Sequence, residues 1–80
     1  MFKLKVKFDT ISQIKSFVNF VTTKNCDFDI SHDRFVIDAK SIMGIFSLDL
    51  SNELTLICHT DDIDLCNSVK AELKTIGIMR

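Results

Sequence analysis

Lys40-Ser-Ile-Met-Gly-Ile-Phe-Ser-Leu-Asp-Leu50 holds more apolar residues than one short element can hide. Ile42, Met43, Ile45, Phe46, Leu48 and Leu50 do not fit a single buried stripe. Read as a short helix, the run buries Ile45 and Leu48 and leaves Ile42, Met43 and Phe46 at least partly facing water. An exposed apolar cluster of this kind marks a contact with a partner. Ser41 stands at the head of the run, where a helix N-cap belongs. The stretch therefore predicts a short helix whose outer side is a protein-binding surface with a hydroxyl at its edge.

Working outward, the segments on either side alternate as strands or repeat as helices. Phe2, Leu4, Val6 and Phe8 face one way and Lys3, Lys5 and Lys7 the other, which makes a half-buried strand. The lysine row reads most simply as a solvated face suited to a sheet edge. An anion-binding stripe is the functional alternative. Thr10 and Gln13 fit a capping box, and Ile14, Phe17, Val18 and Val21 carry a helical stripe over residues 11–24, with Asn25 as the stop. Cys26, Phe28 and Ile30 then alternate inward, Ser31 to Arg34 form a polar turn, and Phe35 and Ile37 point inward on a return strand ending near Ala39. The outward acids Asp27, Asp29 and Asp38 are placed to meet the lysines of the first strand if those strands adjoin.

Beyond the Ser41 helix, Ser51-Asn52 turns the chain. Leu54, Leu56 and Cys58 face inward on a strand over residues 53–58. A final helix begins after Thr60-Asp-Asp, carries Leu65, Cys66, Val69, Leu73 and Ile76 on its apolar stripe, and stops at Gly77. Ile78-Met-Arg80 reads as a short tail. The order βαββαβα, with every strand offering one apolar face and every helix one apolar stripe, predicts a single α+β domain over residues 1–80: a two-layer open-faced sandwich on a four-stranded antiparallel sheet.

Composition narrows the function. Eighty residues with 46% hydrophobic content make one small globular domain. A net charge of -1 with well-mixed signs argues against a nucleic-acid partner, which wants a basic face. No run is long and apolar enough for a membrane span, and the lysine-interrupted N-terminus is unlike a signal peptide, so the cytoplasm is expected. Cys26, Cys58 and Cys66 are irregularly spaced, point to the core and lack the close pairs that hold zinc. No metal or other cofactor is expected.

The segment Ala39-Lys-Ser-Ile-Met-Gly-Ile-Phe-Ser-Leu48 resembles the serine-bearing segment of HPr, the small phosphocarrier of the bacterial sugar phosphotransferase system, and the order of elements is compatible along nearly the whole chain. The resemblance implies that phosphoryl chemistry would reside on a histidine just ahead of the first helix. Here the corresponding segment is Asp9-Thr-Ile-Ser-Gln-Ile-Lys-Ser16. One register places Gln13 at the histidine position, Lys15 at an arginine and Ser16 at a proline; a register shifted by one places Ser12 at the histidine position. Neither supplies an imidazole, and an amide is no nucleophile toward a phosphoryl donor. His32 and His59 lie elsewhere and read as surface or capping residues. The resemblance also implies that Ser41 is a candidate for regulatory phosphorylation, with Lys40 as nearby positive charge, against the simpler reading of a plain N-cap.

These readings converge on a non-enzymatic regulatory module. It binds a protein of the phosphotransferase system, or a regulatory protein, through Ser41, Ile42, Met43 and Phe46. A phosphocarrier using His59 or His32, and a structural domain that forms a homodimer through its apolar patch, are the alternatives.

Overall fold

Strict alternation along four segments builds a sheet with one apolar face, and the computed structural model describes all 80 residues of it. The elements are β1 (Phe2–Val6), α1 (Ile11–Thr22), β2 (Phe28–His32), β3 (Phe35–Asp38), α2 (Ile42–Phe46), β4 (Leu54–Cys58) and α3 (Ile63–Ile76). The sheet is antiparallel throughout, in the order β1-β4-β2-β3. Phe2 pairs with Cys58 and Val6 with Leu54; on the other side of β4, Phe28 pairs with Cys58 and Ile30 with Leu56. This is the expected two-layer α+β sandwich, and no helix is long and apolar enough to cross a membrane.

The inner sheet face is buried along β4 at Leu54, Leu56 and Cys58, along β2 at Phe28 and Ile30, and at Val6. The helices close over it with Ile14, Phe17 and Val21 from α1, Ile45 from α2, and Val69 and Leu73 from α3. Phe8 meets Phe17 edge to face, with ring centroids 5.3 Å apart. No buried side-chain polar atom lacks a partner. α1 ends slightly earlier than its apolar pattern suggests, at Thr22, with Thr23 as C-cap.

Four expectations need correction. The outward acids do not meet the β1 lysines: β4 lies between β1 and β2, so Asp29 sits across from Ile57 and Asp38, and the acids gather around His59 instead. Phe35 is not packed inward but 59% exposed. It pairs with His32 next to the turn, beyond the five residues of α2 that cover β3. The turn itself needs only Asp33 and Arg34, and Asp33 takes the left-handed conformation (φ 54°) that aspartate tolerates. Ile78-Met79-Arg80 is not a loose tail. Gly77, at φ 88°, ends α3 in a Schellman turn: its N–H donates to the Lys74 carbonyl and the Ile78 N–H to the Leu73 carbonyl. The turn drives Ile78 fully into the core and lays Met79 beside Val6. Arg80 then pairs with Asp9 at 3.1 Å.

Asp9 also accepts from Lys7 at 2.7 Å, and that bond, with the charges of Lys7 and Arg80, holds its carboxyl below the ordinary 3.8. A lowered pKa contributes stability above the unfolded-state value, and that contribution is lost as pH falls through the folded-state value. Asp9→Asn is therefore expected to lower the urea midpoint at pH 7 and to leave it unchanged at acid pH below both values. Ile78→Ala is expected to cost about 2–4 kcal/mol in equilibrium urea unfolding, the loss of a core side chain rather than of a frayed end.

Candidate protein-binding site

The first helix begins in a complete capping box. Thr10 is extended (φ -138°), and its Oγ1 accepts from the Gln13 N–H at 3.1 Å. The Gln13 side-chain oxygen reaches back to accept from the Thr10 N–H at 3.1 Å and the Asp9 N–H at 2.7 Å. Its Nε2 lies 3.5 Å from the Ile76 carbonyl, linking the start of α1 to the end of α3. The Gln13 amide is thus occupied by backbone on both sides. Ser12 and Lys15 are exposed on the same turn. Neither register brings an imidazole to this helix start, and the Gln13 amide is neutral and engaged.

α2 packs beside α1 and β3. Ser41 is its N-cap (φ -97°), with Oγ accepting from the Gly44 N–H at 3.1 Å. A side chain at position 44 would press to 3.2 Å from Ser41 Oγ and 3.4 Å from Ile37 Cδ1, so glycine lets the turn close onto β3. Ile45 is fully buried, Ile42 and Leu48 are half-buried against the core, and Met43 and Phe46 stand 74% and 41% exposed. Ile45 anchors the run as expected, Leu48 is only half-buried where burial was expected, and the outer side is an apolar patch beginning at the Ser41 hydroxyl. Lys40, by contrast, bonds its ammonium elsewhere than to that hydroxyl. Its Nζ donates to the Lys24 carbonyl at 2.9 Å and its N–H to Asp38 Oδ1 at 2.9 Å, so it ties the end of α1 to the end of β3.

Neither histidine lies on α2: His32 lines a groove with Ser47 and Leu48 just past its end, and His59 follows β4. His59 follows Cys58, which pairs with the first residue of β1, whereas Gln13 follows the last. Five residues at about 3.3 Å each set the two ends roughly 13 Å or more apart. His59 Nε2 lies 2.7 Å from Asp29 Oδ2, and the pair shares an open polar depression with Asp27 and Asp38. Sequence reasoning missed this grouping, because Asp29 and His59 are 30 residues apart and meet only through the pairing of β2 with β4. His32, at the far end of β2, is half-buried, with Nδ1 3.8 Å from Asp33. Cys58 is wholly buried, and burial, with the Cys26 and Cys66 thiols adding, pushes its pKa up to about 12. It stays a neutral thiol and packs as an apolar group.

No protein-family model matches the sequence, and no curated protein sequence does. Solved structures match in fold. HPr-C-His from Thermoanaerobacter tengcongensis superposes with a TM-score of 0.76 at 20% identity, over 95% of this chain and 94% of that one. The phosphocarrier protein HPr from Bacillus anthracis gives 0.66 at 22% identity, over 90% and 93%. Crh, the catabolite repression containing protein of Bacillus subtilis, gives 0.63 at 27% identity, over 90% and 85%, and is described as a swapped, intertwined dimer. The chain is HPr-like in architecture, as its order of elements foretold.

If Gln13 serves as a cap, its removal has a structural signature. Thr10→Ala and Gln13→Ala are each expected to lower stability by about 1 kcal/mol, and the double variant to cost less than the sum, because each bond of the box supports the other. Chemical denaturation of the four proteins measures both quantities.

Proposed function

We propose that this chain is a regulatory protein-binding module of the HPr-like family, that it does not pass phosphoryl groups through a histidine, and that it docks a protein partner on the α2 surface of Ser41, Ile42, Met43 and Phe46. The observation that carries the reading is the start of α1. In one register the position matched to a phosphoryl-bearing imidazole is Gln13, whose amide is engaged in a capping box and with the Ile76 carbonyl; in the other it is Ser12. The likeness to HPr and Crh supports a partner from the phosphotransferase system or its regulation. The exposed side chains of Met43 and Phe46 supply the desolvation such a contact needs, while Ile45 holds the helix in place.

Ser41 is the candidate regulatory residue. Its hydroxyl is exposed and its own bond is a single N-cap contact. Phosphorylation there would add about -1.5 to -2 charges next to Met43 and change which partner the patch accepts. Lys40 is committed elsewhere, so the added charge would face the solvent and the partner.

A second reading, phosphoryl transfer through His59, is favoured by the Asp29 carboxylate that orients its imidazole. Against it stands the distance from the start of α1. Incubation with phosphoenolpyruvate and the general phosphotransferase enzyme separates the two: no acid-labile phosphate is expected, and such phosphate on His59 or His32 would replace the module with a carrier. A photo-activatable cross-linker at Met43 is expected to capture a phosphotransferase-system or regulatory protein from the host extract, and one at the exposed Lys70 on α3 to capture none. In a chain that carries the cross-linker at Phe46 instead, Met43→Asp should abolish the capture while changing stability by no more than about 0.5 kcal/mol, as for other solvent-facing positions.

A further inference from the structure

The two edges of the sheet are treated differently. The β1 edge carries Lys3, Lys5 and Lys7, and the chain's last residues run beside it: the Lys7 N–H donates to the Ile78 carbonyl and the Arg80 N–H to the Lys5 carbonyl, each at 2.9 Å. Lysines and a covering segment are ordinary ways of blocking a sheet edge. β3 has neither. Phe35 and Val36 on it are each 59% exposed. A groove lined by Phe35, Val36 and Ile37 on one wall and Ser47, Leu48 and Asp49 on the other runs alongside.

The hydrogen-bonding parity of the hairpin shows which backbone groups are open. The two-residue turn pairs His32 with Phe35, and the Ala39 N–H donates to the Phe28 carbonyl at 2.9 Å. In an antiparallel ladder this directs Phe35, Ile37 and Ala39 toward β2 and turns Val36 and Asp38 outward. The Asp38 carbonyl is taken by the Ser41 N–H at 3.0 Å. The N–H and carbonyl of Val36 and the N–H of Asp38 face away from the sheet.

We propose that the occupant of this edge is a second copy of the same chain, joined β3 to β3 in an eight-stranded antiparallel sheet with a two-fold axis at Val36. The sequence Arg34-Phe-Val-Ile-Asp38 is complementary to itself under that operation. With Val36 opposite the partner's Val36, the two valines exchange both backbone bonds. Phe35 lies across from the partner's Ile37, beside the groove walled by Leu48. Arg34 faces the partner's Asp38, and the symmetry repeats that pair at the other end. Both charges are free to make it: Arg34 forms no salt bridge in its own chain, and the Asp38 carboxylate accepts only the Lys40 N–H. An unrelated strand would satisfy the backbone equally, but the matched charge at both ends selects this chain. The surface is built from β3 and residues 47–49 rather than from Met43 and Phe46, and it does not depend on the function proposed for that patch.

Analytical ultracentrifugation of the full chain over a concentration series up to millimolar tests the arrangement. A reversible monomer–dimer equilibrium is expected. Arg34→Asp and Asp38→Arg each place like charges opposite one another twice, and each should raise the dimer Kd by ~10-fold or more. An equimolar mixture of the two variants should restore a dimer, because they present opposite charges at both contacts. Circular dichroism checks that each variant keeps the fold. If Asp38→Arg unfolds through loss of the Lys40 contact, Val36→Lys at the exposed axis position takes its place and should also abolish the dimer. A chain that stays monomeric throughout overturns the proposal. So does a dimer that Arg34→Asp leaves intact, since association would then run through the α2 patch or through exchange of an element between copies.

Discussion

The pairing of β4 with both β1 and β2 is the constraint from which the rest of this structure follows. β4 is the last strand to leave the chain and occupies an inner position in the sheet, with Leu54, Leu56 and Cys58 all buried. Its insertion parts β1 from β2 and closes a sheet whose strands come from both halves of the sequence. Such non-local pairing costs loop entropy before it is rewarded, so the apolar row along β4 must be complete to hold it. It also decides which polar residues meet. The lysines of the β1 edge are kept from the acids of β2 and β3, with Lys5 on Thr55 and Lys7 on Asp9, and Asp29 is carried to His59 instead.

The helix starts show how local hydrogen bonding restricts chemistry. A helix N-terminus offers unpaired N–H groups and a positive dipole end to an anion. At α1 the N–H groups of Thr10 and Gln13 are met from within the chain, by the Thr10 hydroxyl and by a Gln13 side chain that also reaches the Ile76 carbonyl. The same residue cannot serve as a tight cap and as a reactive group. This supports reading the HPr-like architecture as one put to recognition rather than transfer.

α2 has the opposite character. Five residues with one fully buried anchor do not form a stable helix alone; it persists because Gly44 closes onto β3 and Ser41 caps it. So short an element cannot bury its whole apolar content, and it cannot cover the end of β3 either. One shortfall leaves Met43 and Phe46 in water, and the other leaves Phe35 and Val36 there. These two exposed apolar surfaces have a common origin in the brevity of one helix.

The alternation of Phe2 to Phe8, the stripe of α1, the Thr10–Gln13 box, the burial of Ile45 against the exposure of Met43, and the stop at Gly77 were all legible from residue order, because each depends on spacing within one segment. The acid group at His59, the exposure of Phe35, the engagement of Lys40 with Lys24 and the burial of Ile78 were not. Each arises where segments distant in sequence are brought together, and an alternation pattern says which way a side chain points but not what covers it. Sequence alone determined the elements, their faces and the lack of an imidazole at the first helix. Tertiary structure decided the strand order, and with it which charges pair, which edge is covered and which is left open.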